Sequence, residues 1–181
     1  IYNYLEIRKD LSALGYTFNS NSDTEVILAA YAQWGEDCVS RFNGMWAFSI
    51  FDKQKNILFC SRDRFGVKPF YFAQEESRFI FGSEIKQIIS VTNKSILNEK
   101  VALDYLIAGL EEHTNQTFFA DILKLQPSHN LMYDLTTHNF EIKQYYQIEK
   151  SVQTGNLNEQ DSVDKYEAEF TRSIQLRLRS D

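Results

Sequence analysis

The run Ser22-Asp23-Thr24-Glu25 sets a carboxylate at the mouth of a loop-to-helix junction, a position suited to holding a substrate ammonium. The same Asp23 complements the helix dipole and serves equally as a capping group, and residue type alone leaves both readings open. The densest polar cluster is Arg62-Asp63-Arg64-Phe65-Gly66-Val67-Lys68-Pro69, between two strand-like runs. Its charges could line a pocket or a domain interface. Gly66 and Pro69 favour the plainer reading, a tight connection held by Arg–Asp pairs and side-chain-to-backbone hydrogen bonds.

Nucleophilic chemistry finds little support among the residue types. The chain has no Gly-rich phosphate loop, no His-x-x-x-His pair, and no Ser or Cys beside a plausible base. Cys38 lies in a short helical pattern and Cys60 in an apolar strand run, so both read as core residues. With no CxxC pair and only His113, His129 and His138, none of them assigned a catalytic role, neither a zinc site nor a disulfide framework is indicated. The formal net charge of -6 and the pI of about 5.1 exclude a nucleic-acid binder, which needs clustered Lys and Arg. Apolar runs such as residues 45–51 are far shorter than the roughly 20 residues that span a bilayer. A cytoplasmic location is the default expectation.

These groups need a scaffold, and the patterning supplies one. Asn3 and Glu6 have capping-box spacing before Tyr4, Ile7, Leu11 and Leu14, a helical stripe that stops at Gly15. Ser22 and Glu25 repeat the signature before Ile27, Ala30, Tyr31 and Trp34, which end at Gly35, and residues 36–42 predict a shorter helix. Strands are predicted at 45–51, 57–61, 69–73 and 78–82, with polar hairpin connections at 52–56 and 74–77. A helix opens at Ser83-Glu84, another is capped by Asn98, and two or three strands follow around 122–125, 130–135 and 139–145. A polar stretch at 149–158 reads as a linker. Beyond it Val163, Tyr166, Phe170, Ile174 and Leu178 mark one face of a long helix that needs a partner. With 181 residues, 43% hydrophobic and 14% aromatic, the chain can fill one core and begin a second. Both ends read as cut.

Four ordered motifs then carry a resemblance: Ser22-Asp23-Thr24-Glu25-Val26-Ile27-Leu28, Phe42-Asn43-Gly44-Met45-Trp46-Ala47-Phe48, Arg62 to Pro69 as above, and Gly82-Ser83-Glu84-Ile85-Lys86. Together with Ile1-Tyr2-Asn3 and the run Leu176 to Asp181, they resemble glutamine-hydrolysing asparagine synthetases, over nearly the whole chain. The resemblance implies an α+β fold, the four-layer α/β/β/α sandwich with antiparallel sheets of N-terminal-nucleophile hydrolases, incomplete at its N-terminus. It implies that residues 1–148 are the C-terminal portion of a class II glutamine amidotransferase domain. Residues 149–158 are then a linker, and 159–181 the first helix of an ATP-dependent synthetase domain.

In that family an N-terminal Cys attacks the glutamine amide with its own α-amino group as base, and a nearby Asn and Gly form the oxyanion hole. Those parts precede Ile1, so the resemblance places no catalytic residue and no metal in this chain, which alone should be inactive. Of the glutamine-recognition groups only Asp23 maps here, as partner of the substrate α-amino group. ATP and Mg2+ are expected for the absent synthetase domain of the same polypeptide, and a homodimer is compatible with the family. Where the family has a proline-glycine turn, this chain reads Pro127-Ser128, an acceptable turn pair. Two alternatives remain: the same amidotransferase serving another acceptor, a peptide or cell-surface saccharide, or a scaffold that has lost catalysis.

Overall fold

The computed structural model describes residues 1–148 and 158–179. The linker expected at 149–158 lies, but for Asn158, outside them. The chain divides into two compact units, Ile1–Gly44 with Gln147–Asp181, and Met45–Tyr146.

In the first unit α1 (Tyr4–Ala13) and α2 (Asp23–Trp34) pack on each other, followed by a 3-10 helix at Gly35–Arg41. Ile7 and Leu11 of α1 are buried, and so are Val26, Ala30 and Tyr31 of α2, so the buried stripe of α2 is rotated toward Val26 from the one predicted. Gly35 closes α2 at φ +59°, a conformation that suits glycine. The helix α5 (Glu159–Arg177) is capped by Asn158, whose Oδ1 accepts from the Asp161 amide at 2.8 Å. None of its residues is buried, and the predicted apolar face stands open, with Tyr166 71% and Leu178 78% exposed. Just past its end Arg179 donates to Glu6 of α1 at 2.5 Å.

The second unit is built on two antiparallel sheets. One has the order β1 (Ala47–Asp52), β2 (Ile57–Arg62), β6 (His129–Asp134), β7 (Phe140–Gln144); the other has the order β4 (Arg78–Gly82), β3 (Tyr71–Glu75), β5 (Leu123–Lys124). The hairpins β1–β2 and β3–β4 pair as their polar connections predict, with Ala47 opposite Arg62 and Tyr71 opposite Gly82. Period-2 alternation turns Cys60, Leu131 and Tyr133 of the first sheet toward Phe70, Phe72 and Leu125 of the second, one shared core. Phe79 of β4 stacks on Tyr133 of β6 at 4.7 Å between ring centroids, tying sheet to sheet. Each such side chain, fully buried, contributes about 1.5–3 kcal/mol.

The opposite face of β3 presents Ala73, which with Ile122 packs under Ile88 of α3 (Ile85–Thr92). The unit is therefore layered β/β/α, while α1 and α2 belong to the other unit. The helix α4 (Glu99–Ala108) begins at Asn98, as predicted, whose Oδ1 accepts from Val101. Glu84 caps α3, in a capping box with Gln87.

Both thiols are core residues. Cys38 and Cys60 are fully buried, and burial pushes each thiol up to about 12. Neither is a thiolate at neutral pH. Iodoacetamide at pH 8 is expected to leave both unmodified in the native protein and to alkylate both in denaturant, read by intact mass. Fast native labelling of either would contradict its burial.

Candidate functional site

Asp23 occupies the first position of α2, after the N-cap Ser22, whose hydroxyl oxygen accepts from the Thr24 amide at 3.1 Å. The cap fixes where the helix starts, and with it where the Asp23 carboxylate leaves the backbone. That carboxylate is 41% exposed, and its Oδ2 lies against the backbone nitrogen of Ile1. The positive end of the α2 dipole lies beside this carboxylate and favours negative charge there.

Two loops frame this carboxylate. Glu25 accepts from the Asn19 amide at 2.8 Å, the Ser20 amide at 2.8 Å and the Ser20 hydroxyl at 2.7 Å. The Ser20 hydroxyl, then the two amides, hold its carboxyl below the usual carboxylate range. Because this pKa is depressed on folding, the stabilisation is present above the ordinary carboxyl pKa and is lost as pH falls through the lowered one. On the other side, Asn3 is the N-cap residue of α1, as predicted, but its side chain makes no capping bond. Its side chain donates to the Arg41 carbonyl at 2.9 Å and accepts from the Asn43 amide at 2.8 Å, while the Tyr2 amide donates to the Asn43 carbonyl at 2.7 Å. Gly44, at φ +155°, lets the backbones touch: a Cβ there would sit 2.9 Å from Ile1 Cα and 3.1 Å from Tyr2 N.

The polar cluster in the second unit is a structural hub, the plainer of its two readings. Asp63, 1% exposed, accepts from the amides of Trp46 (3.3 Å), Phe65 (3.1 Å), Val67 (3.0 Å) and Lys68 (2.9 Å). Arg62, 7% exposed, donates to the carbonyls of Lys68 (2.8 Å), Leu125 (2.6 Å) and Gly66 (2.7 Å). Each side chain pairs with backbone. Gly66, at φ +64°, lies where a Cβ would come 2.7 Å from Pro127 Cγ. Tyr145 closes the assembly by donating to the Arg62 carbonyl at 2.8 Å, and burial pushes its hydroxyl pKa well up.

Ser128 belongs to the same hub, and its conformation sharpens the expectation of an ordinary turn pair. It sits at φ +65°, which costs a non-glycine residue about 1–2 kcal/mol. Its hydroxyl donates to the Arg64 carbonyl at 2.8 Å, offsetting about 1 kcal/mol of that cost. Two hollows of about 530 Å³, one beside Arg8 and Phe18 and one beside Phe48 and Phe81, are not lined by Asp23. Neither carries converging charged groups; a third hollow, of about 490 Å³, is lined by Glu75, Glu76, Arg78, Lys94 and Asp121, with Glu75 paired to Arg78 and Lys94. Among the described residues no three His, Cys, Asp or Glu side chains converge to hold a metal.

Residues 1–146 match the glutamine amidotransferase domain family. The chain belongs to that family. This amidotransferase chain is 35% identical over its whole length to "Asparagine synthetase [glutamine-hydrolyzing] 3" of Bacillus subtilis, covering 29% of that protein. It is likewise 38% identical over its whole length to "Putative asparagine synthetase [glutamine-hydrolyzing] 2" of Methanocaldococcus jannaschii, covering 35% of it. The chain thus spans about a third of these relatives. Among solved structures it resembles glutamine phosphoribosylpyrophosphate amidotransferase of B. subtilis, with TM-score 0.54 and 16% identity over 81% of this chain and 27% of that one. A second, the allosteric regulatory enzyme of purine biosynthesis, gives TM-score 0.57 at 15% identity with the same coverage. These likenesses, with the two antiparallel sheets, show an N-terminal-nucleophile-hydrolase type of fold.

Of the groups singled out from the sequence, Asp23 lies in the first unit and the Arg62–Pro69 hub in the second. What the sequence patterns missed are the true targets of Asn3 and Glu25. Both stand at capping spacing, yet both reach loops; only the polar run Asn19-Ser20-Asn21, rich in side chains and amides needing partners, hinted at it.

Proposed function

We propose that the full-length protein hydrolyses glutamine and passes the ammonia to an ATP-dependent synthetase domain that amidates aspartate. The observation that carries this reading is the whole-length match to relatives named as glutamine-hydrolysing asparagine synthetases. Asp23 binds the α-ammonium of glutamine, and so selects an amino acid over a simple amide. Its support is the charge, the exposure and the position at a helix start.

The nucleophile comes from outside these 181 residues. Both cysteines here are buried with thiols pushed up to about 12, which disqualifies them from attacking an amide. α5 opens the synthetase domain after the linker, a reading supported by its wholly unburied apolar face. In that domain the acceptor carboxyl is activated at the expense of ATP with Mg2+, and no residue of this chain is assigned to either. The setting is the cytoplasm, in keeping with the absence, among the described residues, of any helix long and apolar enough to cross a membrane.

The test gives the full-length protein glutamine labelled with 15N in its amide, together with aspartate, ATP and Mg2+. Labelled asparagine and one glutamate per turnover are expected. Glutamate release without label in asparagine would move the activity to another acceptor, and no glutamate release at all would leave a scaffold.

A further inference from the structure

Residues two apart on a helix point to nearly opposite sides, so Glu25 cannot share a substrate with Asp23 through direct contact. Its carboxylate turns back instead, past the N-cap, to the loop that delivers the chain to α2. Capping-box spacing would have it accept from the Ser22 amide. In the structure Glu25 takes the Asn19 amide, the Ser20 amide and the Ser20 hydroxyl, and the Ser22 amide donates to the Ser20 hydroxyl oxygen at 3.3 Å. Arg8 of α1 holds the same loop from its other side, donating to the Ser20 carbonyl and, at 3.2 Å, to Asn21 Oδ1. Arg8 also lies 4.7 Å over the Phe18 ring.

We infer that Glu25 is a positioning residue for glutamine: by clamping residues 19–20 it fixes the start of α2 and the direction in which Asp23 meets the substrate ammonium. The inference rests on the reading of Asp23 as the ammonium partner. Loop 19–22 has no other carboxylate within it, and without the clamp its amides turn to water. Asp23 at the first helical position then samples several orientations, and a charge-assisted hydrogen bond weakens steeply with misdirection. Such a residue affects substrate capture far more than the rate of bond cleavage.

The experiment is a double-mutant cycle in the full-length enzyme, following glutamate release with KM and kcat separated. E25A is expected to raise the KM for glutamine about tenfold with kcat within about twofold, and E25Q, which keeps one acceptor oxygen, to raise it about fivefold. In a D23A background, E25A should add less than about twofold, because its route of action is gone. The inference is overturned if E25A leaves KM unchanged while D23A raises it, or if E25A exacts its full tenfold in the D23A background. A KM unmoved by D23A itself defeats the parent reading of Asp23. Should E25A yield no folded enzyme, S20A, which removes only the hydroxyl contact, runs the same cycle with an expected rise of about threefold.

Discussion

Asp23→Ala in the full-length protein raises the KM for glutamine about 100-fold and leaves kcat within a fewfold, on the reading of this carboxylate as the ammonium partner. A hydrogen bond to a charged group contributes about 1.5–3 kcal/mol, and removing one partner also strands the other, so about 2.7 kcal/mol, or two decades, is the expected scale. Asp23 sits at the start of α2, remote in kind from bond cleavage, and its loss should weaken ground state and transition state together. That is the signature of KM rising alone. Asp23→Asn preserves shape and acceptor but not charge, and falls between, at roughly 30-fold. A glutamine analogue lacking the α-amino group supplies the converse: the native enzyme should discriminate against it strongly and the Asp23→Ala variant hardly at all. Equal discrimination by both would remove Asp23 from the binding site.

Asp63→Ala lowers folding stability by about 4 kcal/mol, an unusually large effect for one residue. The carboxylate is almost wholly buried and receives four backbone amides, at 2.9 to 3.3 Å, that no other acceptor in the hub is placed to take. Buried donors left without partners cost about 1–3 kcal/mol each, and partial relaxation toward water recovers some of that sum. For a chain of this size the thermal midpoint should drop by roughly 10 °C. Asp63→Asn keeps one acceptor but turns an NH2 group toward amide donors, so about half the loss is expected. Urea unfolding with an unchanged m-value is the measurement. A loss below about 1 kcal/mol would mean the turn is held by Arg62 and the chain geometry without its carboxylate.

The fold was legible where the signal was local and periodic. Short apolar runs at residues 57–61 and 78–82, bounded by polar hairpin connections, located β2 and β4 nearly to the residue. The order β1-β2-β6-β7 was not legible, since the pairing of Leu58 with Tyr133 depends on partners more than seventy residues apart. At the site, helix-start chemistry marked Asp23, and the same chemistry misdirected Asn3 and Glu25. Capping spacing is a local rule, and in both cases a neighbouring loop with unsatisfied amides outbid the helix's own first turn. Ser128 shows the converse limit: Pro127 marks a turn there, but the bonds of Ser128 to Asp63 and Arg64, more than sixty residues away, are not legible locally.

The three bonds of Arg62 differ greatly in reach. Its contacts with Gly66 and Lys68 span four and six residues, whereas that with Leu125 spans 63. Closing the longer loop costs about 2 kcal/mol more chain entropy than closing the shorter ones. The local turn therefore forms cheaply and presents a guanidinium already oriented, onto which the distant Leu125 carbonyl can dock. In kinetic language the hub is a template: it is organised before its long-range partner arrives, and it lowers the search that the returning strand must make.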